Sequence, residues 1–144
     1  MQMCTTAITW VIILACCGTA AAAKPKAECP STSEMQLEEV MDKVKNKKLS
    51  FIALVEGRAL QTKGDVVENY VKYLNIYREF VPPFWTVYGW ASGPVKITAG
   101  CPQSKLLFGY KYVVGCDDYH NCNIVRRLHD ITANEGYNVL LWKR

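Results

Sequence analysis

The chain has 144 residues, a formal net charge of +4, half of its residues hydrophobic, 21% charged, and seven cysteines. That length accommodates one domain, and the apolar fraction is too high for a disordered chain. A charge of +4 on a chain of this size gives neither a nucleic-acid groove nor a polybasic membrane patch.

Residues 1–23 (MQMCTTAITWVIILACCGTAAAA) contain no acidic or basic side chain. A short apolar run around Trp10–Leu14 is followed by small residues in an A-x-A pattern. This is the pattern of a secretory signal peptide, and the run is shorter than the ~20 residues that span a bilayer. Removal of 1–23 leaves a single domain, 24–144, with four cysteines: Cys29, Cys101, Cys116 and Cys122. An even number in an exported chain implies disulfides, so the expected location is extracellular. No N-x-S/T sequon is present.

Lys24 to Ser33 is a polar leader. From Ser33 to Lys48, Leu37, Val40, Met41 and Val44 recur at helical spacing, and lysines crowd the end, as the helix dipole favours. Leu49–Val55 (LSFIALV) has the length and composition of a strand. Arg58–Phe80 fits either a helix face or a Tyr- and Val-rich strand, and Pro82-Pro83 ends it. Strands are expected at Phe84–Trp90 and Val95–Ala99. Lys105–Cys116 and Cys122–His129 read as a β-hairpin around the five residues Asp117–Asn121, and Tyr137–Lys143 reads as a last strand.

The expected fold is therefore mainly β: a small antiparallel sandwich or a minimal or incomplete barrel, with a short N-terminal helix. The alternative is an α+β sheet with one or two helices, if residues 66–80 are helical. Many aromatics lie in or beside the strands. Trp85, Tyr88, Trp90, Phe108, Tyr110 and Tyr112 are candidates to line an apolar cavity with hydroxyl and indole donors at its rim. For any one of them, core filling is the commoner role.

Catalytic patterns are missing. There is no H-E-x-x-H, G-x-S-x-G, P-loop or dinucleotide fingerprint, so the chain is not expected to be an enzyme and no cofactor is implied. Cys116, His120 and Cys122, with His129 as a fourth ligand, match no common zinc spacing, and exported cysteines are usually oxidised. The same cysteines and histidine lack the spacing and glycine-rich calcium loop of a secreted phospholipase A2. Adjacent Asp117 and Asp118 are turn residues, and the lysines of 43–48 are a soluble helix end. Of the pair Arg126-Arg127, one side chain points inward and is a candidate for an acidic head group.

The hairpin KYVVGCDDYHNCNIVRR resembles the second signature of the lipocalins, a strand–turn–strand written around T-D-Y-x-N-Y-x-I-V. Asp118, Tyr119, Asn121, Ile124 and Val125 match, whereas Asp117 and Cys122 replace the threonine and second tyrosine. The closing YNVLLWKR is similar to the third signature, and Cys29-Pro30 before a short helix and LSFIALVEG is similar to the first. The tick salivary subgroup, which includes histamine-binding proteins, is the nearest match. The Gly-x-Trp of the first strand is absent, with Leu49 near its place.

The resemblance implies an eight-stranded barrel that holds one small ligand, in a monomer that neither binds nucleic acid nor inserts stably in a membrane. The implied ligand is an apolar lipid or a biogenic amine. Sparse acidic residues in the predicted strands favour the lipid, with Arg126 or Arg127 at the mouth. Cys116 and Cys122 could pair across the hairpin. The resemblance instead implies Cys29 bonded to a hairpin cysteine, and this is the preferred expectation.

Overall fold

The computed structural model describes residues 28–80 and 93–140. The predicted signal peptide and the predicted strand Phe84–Trp90, with Trp85, Tyr88 and Trp90, lie outside them.

A leader running from Glu28 precedes helix α1 (Leu37–Lys45). Glu38 and Glu39 sit in its first turn and Lys43 and Lys45 in its last, each complementing the nearby pole of the helix dipole. Strands β1 (Phe51–Lys63) and β2 (Val66–Glu79) form a long hairpin, followed by β3 (Val95–Thr98), β4 (Lys111–Cys116) and β5 (Cys122–Arg127). A 3-10 turn (Leu128–Asp130), a single helical turn α2 (Ala133–Glu135) and a π turn (Gly136–Leu140) follow. The five strands make one antiparallel sheet in the order β3-β2-β1-β4-β5.

The structure decides three points of the expected fold. First, the sheet is open and not a closed barrel. Its edges meet at a single parallel bridge between Lys96 and Asn121, where Lys96 N–H donates to the His120 carbonyl at 2.8 Å. One bridge is not a ladder, so the eight-stranded closure implied by the resemblance is not formed by the described residues. Second, of the two readings open for Arg58–Phe80, the strand is the one formed and the helical alternative falls away. The segment supplies the end of β1 and nearly all of β2, joined through Gly64-Asp65. Gly64 has φ +59°, and a glycine first in a two-residue loop is what a type II′ hairpin turn needs.

Third, the described part of Tyr137–Lys143 is helical. Thr132, Ala133, Asn134 and Glu135 form a capping box: the Thr132 hydroxyl accepts from the Glu135 N–H, and the Glu135 carboxylate accepts from the Thr132 N–H. That start signal turns the chain into α2 and buries Val139 and Leu140.

Both faces of the sheet are covered. Phe51, Ala53 and Val55 of β1, Val95 and Ile97 of β3, Tyr112 and Val114 of β4 and Val125 of β5 pack with Leu106 on one side. Ile52, Val113 and Ile124 face the other way, against Met35 and Val40 of the helical layer and Val139 and Leu140. Two buried faces explain why LSFIALV and KYVVGC read as continuous apolar runs rather than alternating ones. Gly115 is required by space: a Cβ there would lie 2.7 Å from Leu49 Cδ1 and 3.1 Å from Ile124 Cβ.

The disulfides are Cys29–Cys101 and Cys116–Cys122. The preferred pairing of Cys29 with a hairpin cysteine is therefore wrong. Cys116 and Cys122 are register partners across the β4–β5 hairpin, so they meet each other first. Cys29 closes instead on the turn after β3.

Candidate interaction surface

Among the described residues, the connection from β3 to β4 carries three exposed large apolar side chains close together in sequence. Leu107, Phe108 and Tyr110 are 45%, 70% and 53% exposed. Their neighbour Leu106 is buried and anchors the loop in the core. The loop is held from below by Asn69 of β2, whose side chain is fully buried. Asn69 Oδ1 accepts from the Leu106 N–H at 2.8 Å, and Nδ2 donates to the Ser104 carbonyl at 2.9 Å. Tyr112 points inward, and its hydroxyl accepts from the Leu107 N–H at 3.1 Å. A buried side-chain amide satisfied on both ends fixes a loop more firmly than apolar contact alone.

The other side of the loop is stitched to β1 at Gly57. Gly57 N–H donates to the Tyr110 carbonyl at 3.0 Å, and Gly109 N–H donates back to the Gly57 carbonyl at 2.9 Å. Gly57 is required by space: a Cβ there would lie 2.4 Å from the Leu107 carbonyl oxygen. Gly109 supplies the left-handed backbone, φ +79°, that turns the chain between Phe108 and Tyr110. The Cys29–Cys101 bond holds the start of the same connection.

Cations frame the aromatics. The Arg58 guanidinium lies 5.9 Å from the centre of the Phe108 ring, and that of Arg127 lies 5.9 Å from the Tyr110 ring. Arg58 also pairs with Glu56 at 3.1 Å. Exposed Lys105 and Lys111 flank the loop in sequence. Beyond Gly57 the hairpin overhangs, with Arg58–Lys63 exposed throughout. Near its tip Lys63 pairs with Glu68 at 3.1 Å, and that hydrogen-bonded carboxylate raises the ammonium's pKa above its ordinary value.

Among the described residues, the nominated ligand side chains do not converge. Phe108 and Tyr110 project from the surface, Tyr112 is buried in the sheet core, and Trp85, Tyr88 and Trp90 lie outside the described residues. Arg126 does point inward, as expected of one of the pair, but into an ion pair on the helical side. Its Nε donates to Glu135 Oε2 at 3.1 Å, Nη1 to the Thr32 carbonyl at 2.7 Å, and Nη2 to the Asp130 carbonyl at 2.9 Å and to Glu135 Oε1. Met35 N–H also donates to Glu135 Oε2 at 3.0 Å. Burial alone would raise the Glu135 pKa. The Arg126 and backbone donors outweigh burial and hold it below its ordinary value. Cys116 and Cys122 are consumed by their disulfide, so the Cys116–His120–Cys122 zinc arrangement has no thiolates.

Sequence reading missed Asn69, Gly57, Arg58 and Leu107. No local motif marks Asn69, because its partners are 35 and 37 residues away.

Fold and surface together define a small, disulfide-linked β protein with helical caps that displays a braced aromatic loop. No family model and no curated protein matches the chain. A solved structure that shares its fold is the crystal structure of Excretory-Secretory Protein 2 from Ancylostoma ceylanicum. The TM-score is 0.50 at 17% identity, over 79% of this chain and 95% of that one. At that identity the likeness is one of fold alone.

Proposed function

We propose that the protein is an extracellular, non-enzymatic interaction module that engages a protein partner through Leu107, Phe108 and Tyr110. One observation carries the reading: three large apolar side chains stand exposed within a loop whose backbone is fixed from both sides. Aromatic and arginine side chains are the residue types that dominate protein–protein binding energy. A braced loop also loses little conformational freedom on binding. Two disulfides favour an oxidising compartment, and the fold neighbour is named as an excretory-secretory protein. Among the described residues no helix is long and apolar enough to cross a membrane.

The carrier reading has less behind it. One face of the sheet is packed with its own side chains, and the other is filled by the helical layer.

The test is a photo-crosslinking amino acid placed at position 108 or, as a control, at Tyr137, which is 79% exposed. The protein is incubated with extracellular fluid from the tissue it meets. The proposal expects a discrete protein adduct at 108, competed by unlabelled protein and missing at 137. Equal labelling at both positions, or native mass spectra showing a retained lipid or amine and no adduct at 108, would overturn it.

A further inference from the structure

Among the described residues, no strand fills the edge of β1 beside this loop. β4 pairs with β1 only from Phe51 to Glu56, where Glu56 faces Lys111. The loop then takes over at Gly57 through its two backbone hydrogen bonds. Beyond that point, among the described residues, Ala59–Lys63 pair with β2 on one side only. Their side chains are exposed on both faces of the hairpin, Leu60 among them. A strand with one free side presents unpaired N–H and C=O groups, which is a template for another extended chain.

We infer that this free edge accepts an extended, acidic segment of a partner protein as an added strand. It occupies the line that β4, which begins at Lys111, leaves open beyond the Glu56–Lys111 pair. The inference rests on the reading of the loop as an interaction surface, because the incoming strand ends against Phe108. Charge selects the occupant. Arg58 and Lys63 of the edge, Lys105 and Lys111 flanking the loop and Arg127 over the Tyr110 ring stand against the carboxylates of Glu56, Asp65 and Glu68. A second copy of the chain would bring the same cationic edge against itself, and like charges across an interface are costly. An acidic strand gains ladder hydrogen bonds from the edge, and its alternate side chains reach Leu60 and the arginines.

The experiment uses the full oxidised chain, 15N-labelled, and an end-capped heptapeptide alternating glutamate with valine. Two N-methylated versions carry methyl groups on one or the other set of alternate backbone nitrogens, and a further version has lysine for glutamate. The proposal expects the acidic peptide to shift the amides of 59–63 and 108–110. One methylation pattern weakens binding at least tenfold while the other does not, as strand addition requires. The lysine peptide binds at least tenfold more weakly.

Shifts confined to 107–110 overturn the edge proposal and leave the loop reading standing. Shifts at 59–63 that persist in a Phe108→Ala/Tyr110→Ala variant support the edge and remove the loop from it. No shift at 59–63, equal effects of both methylation patterns, or concentration-dependent dimerisation that protects 59–63, overturns the inference.

Discussion

Glu135 is the group whose removal the structure prices most clearly. Its carboxylate is fully buried and accepts hydrogen bonds from the Arg126 guanidinium and from the N–H groups of Met35 and Thr132. Replacing it with glutamine keeps the shape but removes the charge. It also turns an NH2 group toward donors that have no acceptor left. Breaking a buried ion pair by deleting one partner costs about 3–5 kcal/mol, against a total stability of about 5–15 kcal/mol for a domain. Glu135→Gln should therefore lower the urea midpoint severely at neutral pH, with the m-value unchanged.

The double variant Arg126→Met/Glu135→Leu removes both charges but orphans the Met35 and Thr132 N–H groups and the Thr32 and Asp130 carbonyls, so it should recover only part of that loss. The pH dependence has a definite sign. The folded pKa lies below the ordinary value of 4.5. The pair's stabilisation is thus complete above about pH 4.5 and disappears as pH falls through the folded value. Glu135→Gln should flatten the stability profile in that acidic window. A cost under about 1 kcal/mol for Glu135→Gln, or a double variant no better than the single one, would refute the reasoning.

Other expectations follow from the same geometry. Asn69→Ala orphans the buried Leu106 N–H and should cost about 1–3 kcal/mol, with faster hydrogen exchange at 104–107. Gly57→Ala forces the Leu107 carbonyl to move, so the 106–110 amides should shift in NMR spectra while those of β5 stay in place. Replacing Cys29 and Cys101 together by serine opens a bridge of sequence separation 72, and replacing Cys116 and Cys122 opens one of 6. Chain entropy gives about 4 and about 2 kcal/mol respectively, so thermal unfolding should fall further for the first pair. Phe108→Ala should leave thermal stability nearly unchanged, because the side chain is mostly in solvent.

What was legible in the sequence was local. The β4–β5 hairpin and its loop at Asp117–Asn121 stand where polar turn residues separate two apolar runs. The helix of 37–45 shows its apolar stripe, and both disulfides are consistent with the reduction to four cysteines. Two further signals were present and overruled. Gly64-Asp65 marks the β1–β2 turn, but the helical spacing of Val67, Tyr70, Val71 and Leu74 competes with it. Thr132-x-x-Glu135 is a helix start, but the valine and leucines after it read as a strand.

The rest was not local. Asn69 meets Leu106, Cys29 meets Cys101 and Arg126 meets Thr32 only after the sheet has formed. An apolar run buried on both faces says nothing about strand order, so the pattern could not separate an open sheet from a closed barrel. The aromatics of the loop are visible in the sequence, but their type and spacing suit an inward position as well as an outward one. Gly57 and Asn69, which hold the loop outward, carry no aromatic signature of their own.

The leader has a consequence for how the molecule is made. Ser31 is bridged to Ile124, Thr32 accepts from Arg126, and Met35 donates to Glu135, 100 positions later. Contacts between such distant positions slow folding, because long loops must close before any contact rewards them. Synthesis proceeds from the N-terminus, so Cys101 emerges before Cys116 and Cys122 and is the earliest partner Cys29 can meet among these four. The order of emergence thus favours the native bond. The last pair needs only a hairpin to close, and the strap across the sheet locks once Glu135 has arrived.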